Sequence, residues 1–209
     1  GVTFDILKGS RTVLLGENGC GKTTLLRLIS RLEKPTRGVI LQNIDDKFGQ
    51  KSKQSKKWYK KVGVVYQNPD YQLFMQTVEK EIKFGAKSDE YADEIAEKFG
   101  IKHLYARHPQ SLSEGQKRRV SIAAVVATDP EVLILDEPTV GQDYKGLCEM
   151  VEVLNKLHEE AHNTMITVTH DKRCAAALCD KSVWIKNGKT YKTGGKELVD
   201  EFFIQIGVN

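Results

Sequence analysis

Gly16-Glu17-Asn18-Gly19-Cys20-Gly21-Lys22-Thr23-Thr24 is the stretch whose reading decides the fold. Its spacing is GxxxxGK[ST], a phosphate-binding loop. A polyphosphate needs a concave run of backbone N–H donors, and bulky residues would stop the chain from wrapping that tightly. Gly16, Gly19 and Gly21 supply the freedom, including positive φ where the turn requires it. Lys22 brings a cation to the β- and γ-phosphates, and the Thr23 hydroxyl can ligate Mg²⁺. The flanks agree with this reading. Apolar Thr12-Val13-Leu14-Leu15 reads as a strand entering the loop, and Thr23-Thr24-Leu25-Leu26-Arg27-Leu28-Ile29 as a helix leaving it, with its N-terminus favouring an anion.

Outward from the loop, strand and helix patterns alternate almost throughout, which predicts an α/β architecture with a mainly parallel sheet. Further strands are expected at residues 2–6, 39–41, 62–66, 132–135 and 165–168. Asn187-Gly188 sits between two strand-like runs and predicts a hairpin with a turn of the primed type. Residues 77–98 are helical in pattern and charged, broken near Gly85-Ala86, and are the candidate for an inserted helical subdomain. Ser113 opens another helix, where its hydroxyl and Gln116 three residues on can form a reciprocal capping box. Leu147, Met150, Val151 and Leu154 mark the inner face of a later one.

The chain of 209 residues is long enough for one domain with a substantial core. A net charge of +4 is too slight to imply nucleic acid by itself. The four cysteines (Cys20, Cys148, Cys174, Cys179) lack metal-ligand spacing and read as free thiols in a reducing compartment. No apolar run approaches a membrane span and no signal peptide opens the chain, so a cytoplasmic location is expected. The start at Gly1 suggests a fragment, or one half of a longer chain. Residues 47–61 carry Lys47, Lys51, Lys53, Lys56, Lys57, Lys60 and Lys61. They read as a solvated loop or, alternatively, as a contact for anionic headgroups or an acidic partner.

A second motif carries chemistry. Leu133-Ile134-Leu135-Asp136-Glu137-Pro138 is an apolar strand ending in two acids, which places both carboxylates at the C-terminal edge of the sheet, where ligands of open α/β folds sit. Asp136 can hold Mg²⁺, and Glu137 can orient an attacking water or accept its proton. His170 and Gln67 follow other strands and belong to the same edge.

With Leu112-Ser113-Glu114-Gly115-Gln116 the set resembles the ATP-binding cassette (ABC) ATPases, a family of P-loop NTPases. The order is that family's: phosphate loop, Gln67, signature at 112–116, Asp136-Glu137, Val140-Gly141-Gln142-Asp143 and His170. The resemblance implies ATP and Mg²⁺ as ligands, and a head-to-tail dimer. ATP would be held by residues 16–24 of one subunit and by Ser113, Glu114, Gly115 and Gln116 of the other, with Asp143 in a dimer loop. Thr23, Gln67 and Asp136 would hold the metal, with Glu137, His170 and Gln67 catalytic. It also implies a single cassette domain over 1–209, its nucleotide-binding core about 1–66 and 130–209 and a helical signature subdomain about 67–129, with an antiparallel β part.

Tyr66-Gln67-Asn68-Pro69-Asp70-Tyr71-Gln72-Leu73-Phe74, His108-Pro109 and Gln116-Lys117-Arg118-Arg119-Val120 are similar to energy-coupling factor ATPases, which power uptake of vitamins and of cobalt or nickel ions. In that subgroup the segment after the glutamine touches a membrane-embedded subunit. The plainer reading of 68–74 is a turn with two buried aromatics. The implied protein is an importer ATPase on the inner face of the membrane, paired with an identical, different or fused second cassette, and with no nucleic acid expected. A non-transport cassette acting on nucleic acid or ribosomes is the alternative: the absence of a long heptad region weakens a DNA-repair type, and a ribosome-associated type would carry a basic arm between two cassettes, of which only the lysine run at 47–61 is a hint. A regulatory cassette that binds ATP without hydrolysing it is weakened by intact Asp136, Glu137 and His170. Three departures stand out: Glu114 in place of a usual glycine, Cys20 where serine or alanine is commoner, and no upstream strand with an adenine-stacking aromatic.

Overall fold

The computed structural model describes residues 1–41 and 58–207. Among these residues six strands form one sheet in the order β2-β3-β4-β1-β5-β6, with β1 Arg11–Leu15, β2 Val62–Val65, β3 Val132–Asp136, β4 Thr164–Val168, β5 Lys181–Lys186 and β6 Lys189–Gly194. Every neighbouring pair is parallel except β5–β6. The interior strands are continuous apolar runs because helices cover the sheet. In β4 all five residues are buried, and in β3 all but the first. The antiparallel pair is the hairpin predicted at Asn187-Gly188, where both turn residues have positive φ, 51° and 68°.

Seven helices are described: α1 Lys22–Ile29, α2 Val78–Lys83, α3 Asp89–Lys98, α4 Glu114–Val126, α5 Tyr144–Ala161, α6 Lys172–Ala177 and α7 Lys196–Gln205. The helical pattern at 77–98 is indeed broken, by Gly85 at φ 76°. Thr77 and Ser88 cap the two halves through their hydroxyls. The α4 capping box forms as read from sequence: Ser113 Oγ accepts from the Gln116 N–H at 3.3 Å, and Gln116 Oε1 accepts from the Ser113 N–H at 3.1 Å. One apolar cluster runs from α2 and α3 through α4 to one face of β2–β4 and α5. The other face of the sheet packs on α1, and α6–α7 pack on β1 and β5.

Two expected strands do not form among the described residues. Residues 2–6 do alternate, with Val2, Phe4 and Ile6 turned toward the apolar cluster. Their backbone makes no ladder, however; Thr3 N–H donates to the Thr190 hydroxyl, which itself donates to the Thr3 carbonyl. Residues 39–41 are likewise not a strand, and Val39 and Leu41 are exposed. A short apolar run becomes a strand only where a neighbouring strand accepts its hydrogen bonds. Of the lysine-rich run, Lys47, Lys51, Lys53, Lys56 and Lys57 lie outside the described residues.

Candidate functional site

The parallel topology fixes where the polar residues emerge. β1, β3 and β4 run side by side in the same direction, so the loops following Leu15, Asp136 and Val168 share one edge. Gly16 leaves β1 packed so closely that an added Cβ would lie 2.5 Å from the Ile185 carbonyl oxygen and the same distance from Cys20 Sγ. Gly19 and Gly21 have φ of 77° and 104°, which turn the loop into the start of α1. Glu17, Asn18, Gly21, Thr23 and Thr24 are exposed on this loop, whereas Lys22 is buried at 7% exposure. The Lys22 ammonium bends back and donates to the carbonyls of Gly16 at 2.6 Å and Glu17 at 3.1 Å. No acidic residue stands in the first turn of α1, so the positive end of the helix faces the loop unopposed.

Asp136 ends β3 with 6% exposure, and burial raises its carboxyl above the usual aspartate range. The Lys22 and Arg118 cations and the Thr23 hydroxyl pull the other way. Glu137, next along, is 5% exposed and adopts φ 54°, a left-handed conformation that a glutamate rarely takes. Its backbone N–H donates to the Val168 carbonyl at 2.8 Å, which ties it to the end of β4. One carboxylate oxygen, Oε2, accepts from the His170 backbone N–H at 3.1 Å. The other, Oε1, has no hydrogen-bond partner among the described residues. Burial raises this carboxyl too, and the neighbouring Asp136 adds to the effect. His170 Nε2 stands 3.4 Å from Glu137 Oε1. Burial first, and then Lys22, lower the imidazole, so it faces Glu137 as a neutral ring rather than as an ion-pair partner.

A cavity of about 260 Å³ opens between α1 and the end of β2, lined among others by Thr23, Arg27, Tyr66, Gln67 and Asp136. The structure thus brings the phosphate loop, Gln67 and Asp136 to one space, with Glu137 and His170 alongside. The donor set suits a polyphosphate with a hard cation: a glycine loop, one buried ammonium, a hydroxyl, a carboxamide and two carboxylates, one with an orphaned oxygen.

The signature residues do not line that cavity. Ser113, Glu114, Gly115 and Gln116 sit at the N-terminus of α4, against the loop after β3. Gln142 Nε2 donates to the Gly115 carbonyl at 2.9 Å, and a Cβ on Gly115 would come within 3.3 Å of the Gly141 carbonyl oxygen. Asp143 caps α5, accepting from the Gly146 N–H at 2.7 Å. Glu114 points to solvent and pairs with Lys117 at 3.4 Å.

Sequence reading gave no role to three supports of this site, although Gln72 and Arg118 lie in stretches quoted above. Gln72 clamps the turn after β2, accepting from Tyr66 N–H at 2.9 Å and donating to the Val64 carbonyl at 2.8 Å. Glu81, 4% exposed, accepts from the backbone N–H groups of Phe74 at 2.9 Å and Met75 at 2.7 Å. Arg118 reaches the carbonyls of Tyr66 and Gln67. No spacing rule marks any of them, because each contact depends on the packing of separate elements. The same clamps leave Tyr71 and Phe74 exposed, at 79% and 67%, so the alternative of two buried aromatics does not hold.

Among the described residues, no helix is long and apolar enough to cross a membrane. Residues 1–140 match the ABC transporter family. The chain is 41% identical over 214 residues to the energy-coupling factor transporter ATP-binding protein EcfA2 of Enterococcus faecalis, covering 95% of this chain and 72% of that protein. Identity to the Bacillus subtilis protein of the same name is 40% over 203 residues, covering 92% and 74%. Among solved structures, cbiO1 of Clostridium perfringens, part of the ABC transporter complex cbiONQ, superposes with a TM-score of 0.81 at 33% identity, over 96% of this chain and 83% of that one. A dimeric ATP-binding cassette in a post-hydrolysis state, bound to ADP and Pi, gives 0.79 at 26% identity over 93% and 89%. The motifs, the sheet that gathers them and these likenesses agree: the chain belongs to the ABC transporter family, as an ATP-binding and ATP-hydrolysing cassette of the energy-coupling factor kind.

Proposed function

We propose that this ATPase powers a membrane importer of the energy-coupling factor type, hydrolysing ATP at the edge formed by the loops after β1, β3 and β4. The observation that carries the reading is the buried Glu137 carboxylate, with one oxygen held by the His170 backbone and the other, 3.4 Å from His170 Nε2, without a hydrogen-bond partner among the described residues. An acceptor so placed suits a water held for attack on the γ-phosphate, and the raised carboxyl moves it toward a base working near neutral pH. Lys22 would exchange its loop carbonyls for β- and γ-phosphate oxygens, and the loop N–H groups of residues 16–24 would cradle the chain of phosphates. Mg²⁺, held by Thr23, Asp136 and Gln67, would neutralise charge on the transferred phosphoryl group. His170, neutral, would donate toward the γ-phosphate or the water.

The second half of the site would come from another cassette, identical, different or fused, presenting Ser113, Glu114, Gly115 and Gln116 at the start of α4. Asp143 would hold the loop that meets it. The dimeric relative and the positive end of α4 support that arrangement. We read 1–66 and 130–209 as the nucleotide-binding core and 67–129 as the helical signature part. Exposed Tyr71 and Phe74 beside Gln67 would meet the membrane-embedded subunit, with the cassette lying on the cytoplasmic side. The test is ATP hydrolysis by the full-length protein with and without the membrane protein that co-purifies with it. Turnover that rises with that partner supports a transport motor. Turnover indifferent to it, but stimulated by RNA or DNA, moves the protein to the non-transport class.

A further inference from the structure

Arg118 stands in the second turn of α4, just past the capping box, and is 2% exposed. Its Nη1 donates to the Tyr66 carbonyl at 2.7 Å and its Nη2 to the Gln67 carbonyl. Nε has no partner among the described residues. The acids that influence it, Asp136, Glu137 and Glu114, act through space rather than by contact. A guanidinium buried against neutral carbonyls is a poor stabiliser, since the loss of hydration offsets most of what the hydrogen bonds supply. Stability alone therefore does not explain an arginine here. What the side chain does grip is one short piece of backbone, the exit of β2 where Gln67 leaves the sheet. Gln72 holds the same turn from its other end, and Lys117, the residue before Arg118, pairs with Asp70 at 2.9 Å.

We propose that Arg118 is a positioning residue for Gln67, fixing the carbonyls of residues 66 and 67 and thereby the direction in which the Gln67 side chain leaves the backbone at the cavity that Gln67 lines with Thr23 and Asp136. The planar fork is what makes this possible. Two parallel donors fix an orientation, whereas a lysine supplies one point charge that can rotate. Because Arg118 rides on the helix that begins at Ser113, a shift of α4 relative to β2 moves Gln67 with it. Signature and glutamine loop are thus joined within one chain, across 51 residues of sequence between Gln67 and Arg118.

The inference rests on the role given above to Gln67, and the experiment separates the two. The full-length protein is prepared as Arg118→Lys, Arg118→Met, Gln67→Ala and the double variant Arg118→Lys/Gln67→Ala. kcat and KM for ATP are measured by phosphate release, nucleotide affinity with a fluorescent ATP analogue, and Tm by circular dichroism. Arg118→Lys is expected to lower kcat about 10-fold with KM and nucleotide affinity within about twofold, the signature of a misplaced group rather than lost binding. In the Gln67→Ala background the same change should cost less than about twofold, because the residue it positions is gone. A full 10-fold loss on top of Gln67→Ala overturns the inference while leaving the role of Gln67 intact. A fall in kcat that merely tracks lost Tm across Arg118→Lys and Arg118→Met overturns it as well. Normal turnover in Gln67→Ala alone would remove the role of Gln67, and this inference with it. Should Arg118→Met fail to fold, the two lysine variants still decide the matter.

Discussion

Replacing Glu137 by glutamine should slow the enzyme and stabilise it at the same time. The carboxylate is 5% exposed, one of its oxygens has no hydrogen-bond partner among the described residues, and Asp136 beside it adds like charge. An ionised group held in that way costs the fold roughly 1–3 kcal/mol through its unsatisfied, desolvated oxygen. Glutamine keeps the shape. Its carbonyl can still accept from His170 N–H, and its amide can donate across the 3.4 Å now separating Oε1 from His170 Nε2. Recovering even 1 kcal/mol raises Tm by about 2–4 °C in a chain of this size.

The sign follows from the direction of the titration. Burial lifts the Glu137 carboxyl above its ordinary value of 4.5, so the folded state binds its proton more readily than the unfolded state. The penalty is accordingly absent at low pH and grows as pH rises from that value through the raised folded one. Glu137→Gln should therefore be more stable than the parent at pH 7, and the gap should close as pH falls below about 4.5. Turnover moves the other way. Losing a positioned base costs at least ~100-fold in kcat, or about 2.7 kcal/mol of barrier, while nucleotide binding remains. The assays are thermal melts at several pH values, phosphate release, and titration with a fluorescent ATP analogue. Near-normal turnover would refute the catalytic assignment, and a Tm that falls at pH 7 would refute the account of the buried charge.

Gly63→Ala tests the packing of α4 on β2. The added Cβ would sit 2.5 Å from Val125 Cγ1 and 3.0 Å from Pro130 Cγ, a stiff side chain and a ring that cannot simply rotate away. Overpacking of about 1–3 kcal/mol is expected, read as a drop in Tm, and an unchanged Tm would show that α4 is free to shift. Thiol labelling separates the cysteines. Exposed Cys148 should react in the native protein, while burial pushes Cys174 up to about 12 and Cys179 up to about 11, so these two should react only after unfolding. Half-buried Cys20 lies in the phosphate loop, and peptide mapping should show its labelling slowed by ATP. Equal labelling with and without ATP would place the nucleotide elsewhere.

Much of this was legible before any coordinates. The glycine spacing at 16–21, the Ser113–Gln116 box, the Asn187-Gly188 turn and the apolar run ending in Asp136-Glu137 each specify backbone geometry through residues a few positions apart. Local steric and capping rules act at that range, so sequence alone determined a phosphate-binding α/β chain, the edge at which its polar residues would gather and the family it resembles. The pattern misled where a strand needs a partner: residues 2–6 alternate correctly and half-bury the correct side chains, yet find a threonine hydroxyl instead of a ladder. Only the tertiary structure decided that Glu137 would be forced to φ 54° with one oxygen orphaned, that Gln142 would hold Gly115, and that Arg118 would be buried on the carbonyls of Tyr66 and Gln67. Those features depend on how desolvated groups find partners across 27 to 52 residues of chain, and burial at that range is a property of the packed fold rather than of any local spacing.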